Sequence, residues 1–168
     1  KLRLSQILVL PSYQRLGIGA KLVELVYSLC GEFGLDYVEV EEPVAETFDL
    51  LLKKVNFARL ISSSLVQSPN YTMVKKQLML SEREFKGCRM LAMYQRYIEE
   101  NDKDKKAEKK KDYEEYVRKT VVESCENDVD EDSEYGHDVE QIIAFETEWH
   151  PSLLTKAKLF ATSKNKGR

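Results

Sequence analysis

Ser5-Gln6-Ile7-Leu8-Val9-Leu10-Pro11-Ser12-Tyr13-Gln14-Arg15-Leu16-Gly17-Ile18-Gly19-Ala20 is the stretch on which the rest of the chain turns. Ile7 to Leu10 form a continuous branched apolar run, which predicts a strand buried on both faces. Pro11 has no amide hydrogen and marks the strand's exit. Gly17 and Gly19 lead into Leu22, Val23, Leu25, Val26 and Leu29, whose spacing predicts an amphipathic helix from about Ile18 to Phe33, closed by Gly34. The first turn of such a helix offers amides without internal partners, and glycines there let an anion approach.

Spacing separates the sites that use this logic. Lys21 is followed by Leu22, so the hydroxyl of a nucleoside-triphosphatase phosphate loop is missing. Leu22 also stands where a dinucleotide fingerprint needs its third glycine. Gln14-Arg15-Leu16-Gly17-Ile18-Gly19-Ala20 instead fits Arg/Gln-x-x-Gly-x-Gly/Ala after an apolar strand. This loop, Ser5 to Pro11 before it and Val40-Glu41-Glu42-Pro43 beyond the helix resemble the acetyl-coenzyme A motif of the GCN5-related N-acetyltransferase superfamily. Within it, the acidic pair before proline resembles the type B histone acetyltransferases. The resemblance extends over about residues 1–120 and is strongest over 1–60.

The resemblance implies an α/β fold: the C-terminal half of an acetyltransferase domain, with two splayed parallel strands and a crossover helix, then a helical extension. Acetyl-coenzyme A is then expected along Ile7, Leu8 and Val9 and over Gln14, Arg15, Leu16, Gly17, Ile18, Gly19 and Ala20. Glu41 is the implied general base and Glu42 its assistant, with Glu39 a fallback on the same strand face. The chemistry requires such a group, because a lysine amine with a pKa near ~10.4 is mostly protonated at neutral pH. The implied reaction is acetyl transfer to a lysine, on the N-terminal tail of histone H4, in nucleus and cytoplasm, beside a WD-repeat histone-binding subunit. Transfer to another protein lysine or amine, and a non-catalytic coenzyme A- or histone-binding chain, are the alternatives.

Leu35-Asp36-Tyr37-Val38-Glu39-Val40 alternates as the second strand. Phe48, Leu51, Leu52 and Val55 predict a helix that ends before Asn56-Phe57, with Ala58 to Ile61 starting another strand. Ser62 to Asn70 reads as a loop, and Ser81 with Glu84 as a capping box opening a helix whose apolar face includes Phe85, Cys88 and Leu91. Glu99 to Lys119 carries eight acids and eight bases, a solvated helical face. Glu123 to Glu140 holds nine acidic residues and no Lys or Arg, and reads as disordered, while Lys156 to Arg168 is basic. Ile142 to Phe145 with Trp149 make a short apolar island between them.

The expected organisation is therefore a cofactor-binding part over 1–66, a helical extension over 67–122 and an acidic-then-basic tail over 123–168. Lys1 to Leu4 already leads into a strand, so the resemblance also implies sheet strands and a further domain upstream. Across 168 residues the net charge is −3, which gives no basic stripe for nucleic acid. Cys30, Cys88 and Cys125 form no CxxC pair or disulfide framework. His137 and His150 lack companions at metal-ligand spacing, so no metal is expected. No apolar run has the length of a membrane span.

Overall fold

A computed structural model describes residues 1–40, 46–63, 65, 70–127 and 139–165. Two short strands, β1 (Leu2–Leu4) and β2 (Val38–Val40), accompany a single 3-10 turn (Pro11–Tyr13) and seven α-helices among the described residues: α1 (Ile18–Glu32), α2 (Glu46–Ser62), α3 (Tyr71–Gln77), α4 (Glu82–Ile98), α5 (Lys103–Asn127), α6 (Val139–Glu148) and α7 (His150–Asn165). No helix of the described residues is long and apolar enough to cross a membrane. The chain divides into two compact units, Lys1–Cys88 with Thr155–Arg168, and Arg89–Leu154.

In the first unit β1 and β2 run parallel, with Leu2 opposite Val38 and Leu4 opposite Val40. β2 is tied on to the chain after α3 by the Val38 amide, which donates to the Met79 carbonyl at 3.0 Å. The helix α1 joins the two strands and packs against α2. It begins and ends where its sequence says it should. Gly17 is its N-cap in the left-handed region, φ 79°, and Gly34 follows its C-cap at φ 64°. Ala20, Val23, Tyr27 and Cys30 recur at helical spacing and are its buried face.

The expected α/β acetyltransferase fold is overturned here. Helices take 74% of the described residues, and the sheet is two strands of three residues instead of a splayed multi-stranded core. The apolar run Ile7 to Leu10 is not a strand: pairing is made by Leu2–Leu4, and Leu8 and Leu10 stay 76% and 57% exposed. Periodicity reports that a run can be buried, and burial needs a second layer that these residues do not have. α2 also passes straight through Asn56-Phe57, where a break was expected. Both residues are completely buried, and no Gly or Pro interrupts the helix.

In the second unit Met90, Tyr113, Val117 and Val121 form the core, with Tyr94, Ile142 and Ile143 packed on it. Ile142 and Ile143 of the apolar island are thus partly buried on this core from α6, which lies against α5. Asp102 opens α5 by accepting from the Asp104 and Lys105 amides, both at 3.1 Å. Its carboxylate satisfies donors that the helix cannot. Tyr113 and His150 are joined between Oη and Nδ1 at 2.6 Å inside this core. The acidic run expected to be disordered is helical at its start, to Asn127, and again from Val139; 128–138 lie outside the described residues. Lys156 and Lys158 ride on α7, whose Ala157 and Ala161 are buried.

Candidate functional site

A cleft of about 410 Å³ opens in the first unit alongside β2. Tyr37, Glu39 and Val40 form one wall, Lys75 of α3 stands on another, and Ser81 to Glu84 at the start of α4 close it. Local structure fixes each wall. Asn70 caps α3, its Oδ1 accepting from the Met73 amide at 2.9 Å. Ser81 caps α4, its Oγ accepting from the Glu84 amide at 3.3 Å. Half the expected capping box is therefore made. The Glu84 carboxyl has a longer-range task, because its Oε2 accepts from Asn56 Nδ2 at 2.6 Å.

The charges of the cleft are arranged in pairs. Glu39 meets Lys1 and, at 3.6 Å, Arg3 Nε. The hydrogen bond from Lys1 holds the Glu39 carboxyl below its usual range. Lys75 pairs with Glu82. Arg83 reaches Asp49 at 3.4 Å, and Asp49 is also paired with Lys53 at 2.9 Å. Glu84 is 8% exposed. Burial, with the Asp49 charge adding to it, pushes its carboxyl up, while Arg83, Asn56 and Lys53 pull the other way.

Such a site can hold a polar or cationic group, and its carboxylates outnumber its cations three to two. It lacks the parts of a nucleophilic site. The Ser81 hydroxyl is spent on the helix cap. Cys30 and Cys88 are buried, and desolvation pushes both thiols up, away from the reactive thiolate. No group of three or more His, Cys, Asp or Glu that could hold a metal occurs among the described residues.

The residues singled out by sequence do not converge on this cleft. Gln14 Nε2 donates to the Val9 carbonyl at 3.0 Å, which ties the loop to the segment that precedes it. Arg15 takes φ 61°, and Leu16 is 66% exposed. Gly17 has open space where a Cβ would stand, so its positive φ is what requires glycine. At Gly19 a Cβ would come within 3.1 Å of Leu51 Cδ2, so this glycine serves the packing of α1 on α2. Ala20 faces the same interior, 1% exposed, one residue beyond Gly19 and two beyond Ile18 at the helix start. Ile7, Leu8 and Val9 lie on irregular backbone. Glu41 and Glu42 lie outside the described residues; Glu39 alone of the three carboxylates is seen, in the cleft.

No protein-family model, no curated protein and no solved structure matches the chain. With the two-stranded fold, this overturns the resemblance to the GCN5-related and type B histone acetyltransferases. The reading as an acetyl-coenzyme A-dependent lysine acetyltransferase falls with it. Coenzyme A in those families lies along a multi-stranded sheet, and the described residues provide no such sheet.

Glu84, Asn56, Lys75 and Glu82 were missed as a site. One signal was present: Asn56 sits between Val55 and Phe57 in an apolar stretch, where a polar side chain needs a buried partner. The identity of that partner, 28 residues away, is not a local property of the sequence.

Proposed function

We propose that the chain is a non-catalytic protein-binding module that takes a basic peptide, of which the N-terminal tail of histone H4 is an example, in the cleft alongside β2. The observation that carries this reading is the cleft lining itself: Glu39, Glu82 and Glu84 with Tyr37, alongside a parallel strand. Carboxylates attract a lysine-bearing segment, and an aromatic ring offers its face to the side chain. A second protein fits the segment before α1, where Leu8, Leu10, Tyr13 and Leu16 are all more than half exposed. Exposed apolar side chains in one run are a protein-docking feature. A WD-repeat histone-binding subunit is the partner we place there, with nucleus and cytoplasm as the compartments.

The test is fluorescence anisotropy with a labelled histone H4 tail peptide. Saturable binding that weakens with salt is expected, with affinity about tenfold lower for Glu82→Lys, the order expected of a reversed charge in a polar site. A peptide with acetylated lysines should bind more weakly. Equal affinity for the acetylated peptide, or for folded Glu82→Lys, would remove the cleft from the reading.

A further inference from the structure

The helix α1 carries two apolar faces. Ala20, Val23, Tyr27 and Cys30 are buried within the first unit. On a second face Ile18, Leu22, Leu25 and Leu29 follow one another at steps of four, three and four residues, the spacing of a helix-pairing seam. Val26, and Phe33 just past the helix end, widen it on one side. None of the six is buried: Leu25 is 53% exposed and Phe33 69%, and the other four are half-covered. Of the apolar residues that the sequence offers as a sheet-covering face, all but Val23 are therefore in this outward stripe. Apolar side chains gathered on one exposed surface mark a place that another protein covers.

The charges on the margin of the stripe say which protein. Lys21 and Glu32 are both exposed, and at 3.6 residues per turn they fall on the same flank of the seam, across from Val26 and Phe33. They stand at its opposite ends, with the middle of the seam half-way between them. In a two-fold antiparallel pair of helices like flanks meet, so Lys21 of each copy comes beside Glu32 of the other. A parallel pair would set lysine against lysine and glutamate against glutamate. The helix dipoles also favour the antiparallel arrangement. The stripe is thus self-complementary in charge as well as apolar, which is what a second copy of this chain requires.

We propose that the outward stripe of α1 is the interface of a homodimer, in which the α1 helices of two copies pack antiparallel about a two-fold axis at the level of Val26 and Tyr27. α1 has 15 residues and so is about 22 Å long. A single helix pair of that length makes a contact at the small end of the range for specific interfaces, and the dimer is accordingly a reversible one. None of the stripe residues lines the cleft.

Sedimentation equilibrium of the full chain over a wide range of concentration tests this. The mass should rise from monomer to dimer and no further. Leu25→Glu, at an exposed position, should keep the circular dichroism of the unsubstituted chain and stay monomeric. Lys21→Glu and Glu32→Lys should each weaken self-association roughly tenfold, since both charge contacts of the two-fold pair turn repulsive. An equimolar mixture of these two variants should recover it, because unlike charges then meet at both ends. A chain that is monomeric at every concentration overturns the proposal and leaves the stripe to a different protein. A dimer that a folded Leu25→Glu leaves intact overturns the choice of surface. A mixture that associates no more tightly than the single charge variants overturns the antiparallel arrangement.

Discussion

The two units bury polar pairs in opposite ways. In the first, the Asn56–Glu84 pair joins a helix interior to the wall of an open cleft, and one member is an acid. In the second, the Tyr113–His150 pair is sealed among rings: Tyr94 lies 5.6 Å from Tyr113 and 5.8 Å from His150, centroid to centroid. Tyr97 stacks on Tyr113 at an interplanar angle of 14°. Both pairs satisfy groups that would otherwise be costly to bury. Only the first connects the interior to a surface concavity, and that is why the candidate site is placed there. A buried polar pair marks a site when one member also faces a space that a ligand can enter.

The largest expected effect tests the apolar part of that contrast. Phe57 is fully buried in α2 next to Asn56. Phe57→Ala should cost about 3–5 kcal/mol, the scale of emptying an aromatic site in a packed interior. Urea unfolding followed by far-ultraviolet circular dichroism reads it as a large fall in the midpoint. An unchanged midpoint would mean that the chain turns away from the core at Asn56, as the sequence pattern alone suggests.

The next effect lies in the second unit. Tyr113→Phe keeps the ring and removes the hydroxyl bonded to His150 Nδ1. A loss of roughly 1–3 kcal/mol is expected, the cost of leaving a buried polar atom without that bond. Thermal unfolding checks it. A variant as stable as the unsubstituted chain would show that the two groups are linked by proximity alone, and the contrast between sealed and open pairs would lose its second half.

What was legible in the sequence follows from locality. The ends of helix α1 were readable to within a residue because its start and stop are written in Gly17 and Gly34; of its expected face only Val23 is buried, Leu25 is 53% exposed, and Tyr27 and Cys30 turn inward instead. Ser81 announced α4 for the same reason. The strand assignment failed at Ile7 to Leu10, since an apolar run has the same appearance whether or not another layer covers it. Gly19 misled more directly. A glycine that admits a ligand and a glycine that admits Leu51 are the same letter. At the candidate site, Glu39 was within view as a strand carboxylate, but Lys75, Glu82 and Glu84 enter only through tertiary contacts.

The smallest effect has the most informative sign. Burial raises the Glu84 carboxyl pKa in the folded chain. Between the ordinary carboxylate pKa, about 4.3 for Glu, and that raised value, the folded chain keeps a proton that the unfolded chain has released. Stability from this group is therefore fully present below the ordinary pKa and falls as pH rises through the folded one. Burial pushes the Tyr113 hydroxyl upward too, away from neutral pH, so that hydroxyl adds no slope in the same window. Glu84→Gln keeps an acceptor for Asn56 Nδ2 and removes the desolvated charge. It should stabilise the chain at neutral pH by on the order of 1 kcal/mol and flatten the pH dependence of the urea midpoint above the ordinary carboxylate range. If the glutamine variant is instead weaker at neutral pH with its slope unchanged, Arg83 and Lys53 outweigh burial and the Glu84 charge is favourable. The interior of the first unit would then be stabilised by a charge, and the difference between the two units would be one of electrostatics as well as of access.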